Sequence, residues 1–149
     1  MKEMMDSIKK DVVITIVSRQ NFEGCEPDQI DLITTGRLYG RNGKFYISYE
    51  ESELTGMDGT RTTIEFTPRS AMLTREGTVN SRMYFVRGQK NTFLYETPYG
   101  TATVGLETQR YRSTLSEHGG ELEIGYVVDF DHAFVGRNQL KINITEQRG

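Results

Sequence analysis

Two charged residues and a set of hydroxyls fall where a strand pattern would turn them inward. Glu51 continues the face carried by Phe45, Ile47 and Tyr49, and Arg75 stands two residues beyond Leu73. Thr62 is in phase with Ile64, Tyr95 with Phe93, and Tyr126 with Ile124 and Val128. A charge that extends an apolar face must be paired, hydrated or placed at a strand end. The expectation is that Glu51 and Arg75 pair at the mouth of the interior, where Thr62 and the hydroxyls of Tyr49, Tyr95 and Tyr126 fix a small polar or amphipathic ligand. The competing reading makes the two charges a rim feature, or a buried pair that holds strand register without any ligand. An interior with no void above about 100 Å³, against the roughly 300 Å³ of the smaller ligand pockets, would decide for the second.

Other chemistries find less support. His118 and His132 are the only histidines. Asp129, Asp131 and His132 could meet a cation in principle, but so few ligands in one turn read as a solvated loop. Cys25 sits in the acidic stretch EGCEPD, which works against thiolate formation and so against a nucleophilic role. The glycines come singly at turns, without the spaced cluster before a helix that cradles phosphate. No catalytic residue, metal or cofactor is assigned. An acid–base enzyme would need Glu51 and a tyrosine in a substrate-sized cleft.

Charge and composition narrow the partners. Eighteen basic and 21 acidic residues give a net charge of -3, with no basic stripe to meet nucleic acid. The longest apolar runs are a few residues, far below the roughly 20 of a membrane-spanning helix. The opening MKEMMDSIKKD has no apolar run behind it, so no signal peptide is read there. A single cysteine cannot form an internal disulfide, and together these features suggest a cytoplasmic protein.

The elements that would position the site are all strands. Fifteen glycines, eight tyrosines and seven phenylalanines suit strands joined by tight turns. Residues 1–10 read as a frayed arm or one helical turn on a single domain spanning 1–149. Turns are expected at Asn42–Gly43, Asp58–Gly59, Glu76–Gly77, Pro98–Gly100 and His118–Gly120. At Glu76–Gly77 two registers compete. A three-residue loop ending in a left-handed Gly77 puts Leu73 with Met83 and Phe85 inside and sends Arg75 to the corner of that face; a two-residue loop would bury Met72 and Thr74 instead. The first is preferred because Leu73 gains more from burial. Gly36 suggests a bulge, a bend or the close approach of another group, and Gly105 a bulge that helps the sheet curve. Asn138 is grouped with Lys141, Asn143 and Thr145 as polar alternation. The whole reads as all-β: a single antiparallel, closed β-barrel of about eight to ten strands, with a β-sandwich as the alternative.

The segment Tyr49–Glu51, the Gly59–Ile64 strand, Arg75 with Gly77, Met83 with Phe85 and Gly88, YETPYG at 95–100, and Leu122–Tyr126 together resemble the YwiB-like family of small bacterial proteins. The resemblance covers nearly the whole chain. It implies a calycin-type or lipocalin-like barrel and carries no established activity. The functional expectation is a non-enzymatic barrel that binds a small molecule in its interior. The alternative is a structural or protein-interaction barrel without a ligand, working through an outer face or as a homodimer.

Overall fold

Period-two alternation runs through almost the whole chain, and the computed structural model, which describes residues 8–41, 44–130 and 134–147, turns it into ten antiparallel strands. They are β1 (Ile8–Phe22), β2 (Asp28–Arg41), β3 (Lys44–Glu50), β4 (Thr60–Phe66), β5 (Ser70–Gly77), β6 (Ser81–Val86), β7 (Lys90–Thr97), β8 (Gly100–Ser113), β9 (Gly120–Phe130) and β10 (Phe134–Glu146). One 3₁₀ turn, η1 (Glu53–Thr55), interrupts the β3–β4 connection. The sheet order β6-β5-β4-β3-β2-β1-β10-β9-β8-β7 joins the first strand to the last and leaves β6 and β7 as its two ends.

Those ends meet. The Asn80 N–H donates to the Glu96 carbonyl and the Glu96 N–H to the Asn80 carbonyl, both at 2.9 Å. Past the other end of β6 the Gly88 N–H donates to the Thr108 carbonyl at 2.8 Å. The sheet therefore curls into a nearly closed barrel, and the sandwich alternative is set aside: a sandwich would keep its edges apart.

Alternation decides which side chains fill the interior. Val12, Ile14, Leu38, Ile47, Ile64, Phe85, Leu122 and Ile144 are all but inaccessible and pack one end. Phe22, Phe93, Phe130 and Leu140 at the other end are only partly buried. Gly36 resolves in favour of close approach, since a Cβ there would lie 2.4 Å from the Ser48 carbonyl oxygen and 2.7 Å from Ile14 Cδ1. It marks where β3 departs, as β3 pairs with β2 only from Arg37 to Arg41.

Three local expectations need correction. Ile8–Lys10 is not an arm: it already pairs with Leu38–Gly40, and Lys10 Nζ reaches Glu146 at 2.5 Å. The bulge in β8 falls between Thr108 and Arg110, while Gly105 stays in register and makes room for the Asp129 carboxylate. The β5–β6 turn centres on Thr78, because Arg75 pairs with Ser81 and the loop runs from Glu76 to Asn80. Burial of Val79 accounts for the shift: its N–H donates to Thr60 Oγ1 at 3.1 Å, and the Asn80 side chain holds both backbone groups of Gly77. Both turn positions share the same parity, so Leu73 still faces inward opposite Met83. The Asn42–Gly43 turn lies outside the described residues, as do Asp131 and His132.

Gly77 has φ +134°, and a Cβ on it would lie 2.2 Å from the Gly59 carbonyl oxygen. Neither backbone can yield without breaking the β4–β5 pairing. Gly77→Ala is expected to cost about 2 kcal/mol or more in unfolding free energy, read from urea denaturation midpoints.

Candidate functional site

Strand register aligns the expected residues in two rows. On one wall Tyr49 of β3 pairs with Thr62 of β4, Thr62 with Arg75 of β5, and Arg75 with Ser81 of β6. On another, Thr108 of β8 pairs with Tyr126 of β9, Tyr126 with Asn138 of β10, and Asn138 with Gln20 of β1. Between them lies a cavity of about 460 Å³ with Tyr49, Glu51, Arg75, Tyr95 and Tyr126 in its wall. Thr62, fully buried, stands behind Glu51. The remaining wall is largely apolar, from Ile16 and Leu32 through Phe93 and Val104 to Val128 and Ile142.

Glu51 lies one residue past β3 but keeps its inward phase because its N–H donates to the Thr60 carbonyl at 2.8 Å. The chain then makes the η1 turn, capped at its start by Ser52 and closed by Gly56, which returns Thr55 toward the carboxylate. Thr55 Oγ1 donates to Glu51 Oε1 at 3.0 Å, and Thr62 Oγ1 donates to Glu51 Oε2. The Tyr49 hydroxyl interacts with both Glu51 and Thr62. At 6% exposure the carboxylate is thus held by neutral hydroxyls.

The expected Glu51–Arg75 pair does not form. Arg75 makes no ion pair among the described residues; its Nη1 meets only the Met83 thioether, at 3.7 Å, and its Nε is buried without a hydrogen-bond partner. The donors that meet Glu51 are instead hydroxyls, Thr62 from β4 and Thr55 from the connection after β3. Ser81 Oγ, Thr108 Oγ1 and Asn138 Oδ1 are likewise buried and unpartnered. Every such atom among the described residues belongs to one of the two rows. Asn138 does not belong with Lys141, Asn143 and Thr145 in the polar alternation: its even number puts it in phase with Leu140 and Ile142, and it is 7% exposed. That parity was the signal for it. Thr55 and Met57 carried no comparable signal, since a loop places them.

A broader groove of about 800 Å³ lies against the outer faces of β2 and β3. Its charges largely satisfy one another, with Arg61 on Glu50 at 2.7 Å and Arg37 near Asp11 at 3.8 Å. Of the two, the inner cavity has unpartnered buried polar atoms in its wall, those of Arg75 and Asn138. No three His, Cys, Asp or Glu among the described residues could hold a metal together. No helix among them is long and apolar enough to cross a membrane.

Residues 14–142, most of the barrel, match a domain family of unknown function, DUF1934. The chain belongs to this family. It is 28% identical over 97 residues to the uncharacterized beta-barrel protein YwiB of Bacillus subtilis (strain 168), a span that covers 65% of this chain and 67% of that protein. The crystal structure of the ywiB protein from Bacillus subtilis superimposes with a TM-score of 0.77 at 20% identity, over 91% of this chain and 92% of the other. This DUF1934 chain therefore shares the barrel fold of that protein.

In this DUF1934 barrel the buried tyrosines serve as neutral donors and acceptors. Burial, then the Glu51 charge, raises the pKa of Tyr49 well above the usual tyrosine range, against the opposing pull of Arg75 and Thr62. Burial does the same at Tyr126, where Arg75 and a hydrogen bond from Asn138 pull the other way, and at Tyr111. Each raised folded-state pKa means that the unfolded chain releases the proton first, so these groups contribute stability below about pH 10 that is lost as pH rises beyond it. Urea midpoints are expected to fall from about pH 10 upward, with a shallower fall in Tyr126→Phe. Thr62→Val, which takes a donor from a buried carboxylate, should cost about 1–3 kcal/mol at neutral pH by the same measurement.

Proposed function

We propose that this barrel is a non-enzymatic binding protein that holds one small amphipathic molecule in the cavity between its two polar rows. The observation that carries this reading is the coincidence of an interior cavity of about 460 Å³ with buried polar atoms of Arg75 and Asn138 that lack partners in its wall. A cavity of that size lies within the range of small-molecule sites, which are mostly apolar with a few placed polar groups. Tyr49 beside Glu51 holds its proton well above the usual tyrosine range, through burial and then the Glu51 charge, which makes it a poor acid–base partner and favours binding over catalysis. A lipocalin-like character belongs to the proposal, in the sense of antiparallel strands around an interior that takes one ligand. So does a cytoplasmic location, supported by a single, exposed cysteine.

A second reading, as a protein-interaction barrel, has one observation in its favour. The Asp28–Gly36 half of β2 carries no second paired strand among the described residues, and Ile33 on it is 73% exposed. An unpaired edge of this kind can add a strand from a partner or a second copy.

Titration with the neutral fluorophore N-phenyl-1-naphthylamine tests the first reading. One saturable site is expected, and Val128→Trp, which fills the cavity from β9, should weaken it about tenfold or more while the far-UV circular dichroism is kept. No saturable site, with no small molecule released on denaturing mass spectrometry, would overturn it. Concentration-dependent dimerisation in light scattering, lost in Ile33→Lys, would support the second.

A further inference from the structure

The cavity contains a cation that forms no ion pair among the described residues. Arg75 lines the interior, its Nε is buried without a partner, and among the described residues its side-chain contact of hydrogen-bond type is the weak acceptor Met83 Sδ at 3.7 Å. A guanidinium offers five N–H donors and no acceptor. Leaving it unpaired among apolar walls is costly unless an anion or water answers it. Glu51 lines the same cavity but makes no ion pair with Arg75; its carboxylate accepts from Thr62 and stands within reach of Thr55.

A second donor faces the same space. Tyr126 lies in the cavity wall beside Asn138, whose Oδ1 is unpartnered. A tyrosine hydroxyl carries one proton that it can donate to a ligand there. Phe85 fixes the ring edge-on, with centroids 5.0 Å apart, and Arg75 is close enough to influence Tyr126 electrostatically. Arg75 and Tyr126 thus present N–H and O–H donors to one region, whereas Leu32, Phe93, Val104 and Ile142 offer only hydrocarbon elsewhere in the wall.

We infer that the ligand is an amphipathic monocarboxylate: its carboxylate accepts from Arg75 and from the Tyr126 hydroxyl, and its apolar body lies along the hydrocarbon wall. A carboxylate matches the planar fork of a guanidinium in geometry as well as charge. A neutral ligand of the same shape would leave Arg75 unanswered, and a cationic headgroup placed against Arg75 would meet repulsion. This inference rests on the cavity-binding reading above and adds to it the charge and chemical class of the ligand.

The test compares three probes of equal chain length, dodecanoate, dodecanol and dodecylamine, by displacement of N-phenyl-1-naphthylamine from protein stripped of bound small molecules. Dodecanoate is expected to bind at least about tenfold more tightly than dodecanol, with dodecylamine weakest. Arg75→Met, close in volume to the original stem, should abolish the preference for dodecanoate and leave dodecanol binding within a few-fold. Tyr126→Phe should weaken dodecanoate about tenfold and dodecanol little. Equal or tighter binding of dodecanol by the wild-type protein would overturn the carboxylate assignment and leave the cavity reading intact. Displacement by none of the three, with the fluorophore still bound, would also overturn the assignment and would point to a ligand of another shape. Should Arg75→Met fail to fold, the wild-type ranking and Tyr126→Phe decide by themselves.

Discussion

Closure of the sheet is the constraint from which the rest follows. Ten strands leave two edges, and the paired backbone hydrogen bonds between Asn80 and Glu96 bring those edges together. An eight-stranded barrel is just wide enough for its own side chains to fill, and the diameter grows with strand number. Ten strands therefore enclose more space than the inward side chains occupy. One end is packed by residues such as Ile14, Leu38, Ile64 and Leu122; the other keeps a cavity. The void is a consequence of strand count as much as of side-chain choice.

Within that frame the polar rows are unusual. Interiors normally satisfy buried donors and acceptors, because an unmet polar atom forfeits its hydration for nothing. Here Glu51 has hydroxyl partners, while Arg75 Nε, Ser81 Oγ, Thr108 Oγ1 and Asn138 Oδ1 have none. All four lie in the two cross-strand rows, and two of them, on Arg75 and Asn138, are in the wall of the cavity. The buried tyrosines keep their protons, which suits them to donating hydrogen bonds and not to abstracting protons.

Much of this was legible in the chain. The inward phases of Tyr49, Glu51, Thr62, Arg75, Tyr95 and Tyr126 follow from alternation, which is local: a strand turns every second side chain to the same face. All six lie at or behind the cavity wall. What failed was pairing. Glu51 and Arg75 share an interior without contact, since the η1 turn delivers Thr55 to the carboxylate and leaves the guanidinium to Met83. No periodicity encodes where a connection folds back.

The sequence by itself determined an all-β chain, the faces of its strands, and the residues that look inward, because those depend on steric and hydrophobic preferences of neighbouring positions. Only the tertiary structure decided the β5–β6 turn at Thr78, where burying Val79 against Thr60 outweighs the local turn preference of Glu76–Gly77. Only it decided that Arg75 faces Tyr126 across an open interior. Register between strands distant in sequence, and the width of a closed barrel, are set by the sum of contacts around the ring and belong to no single segment.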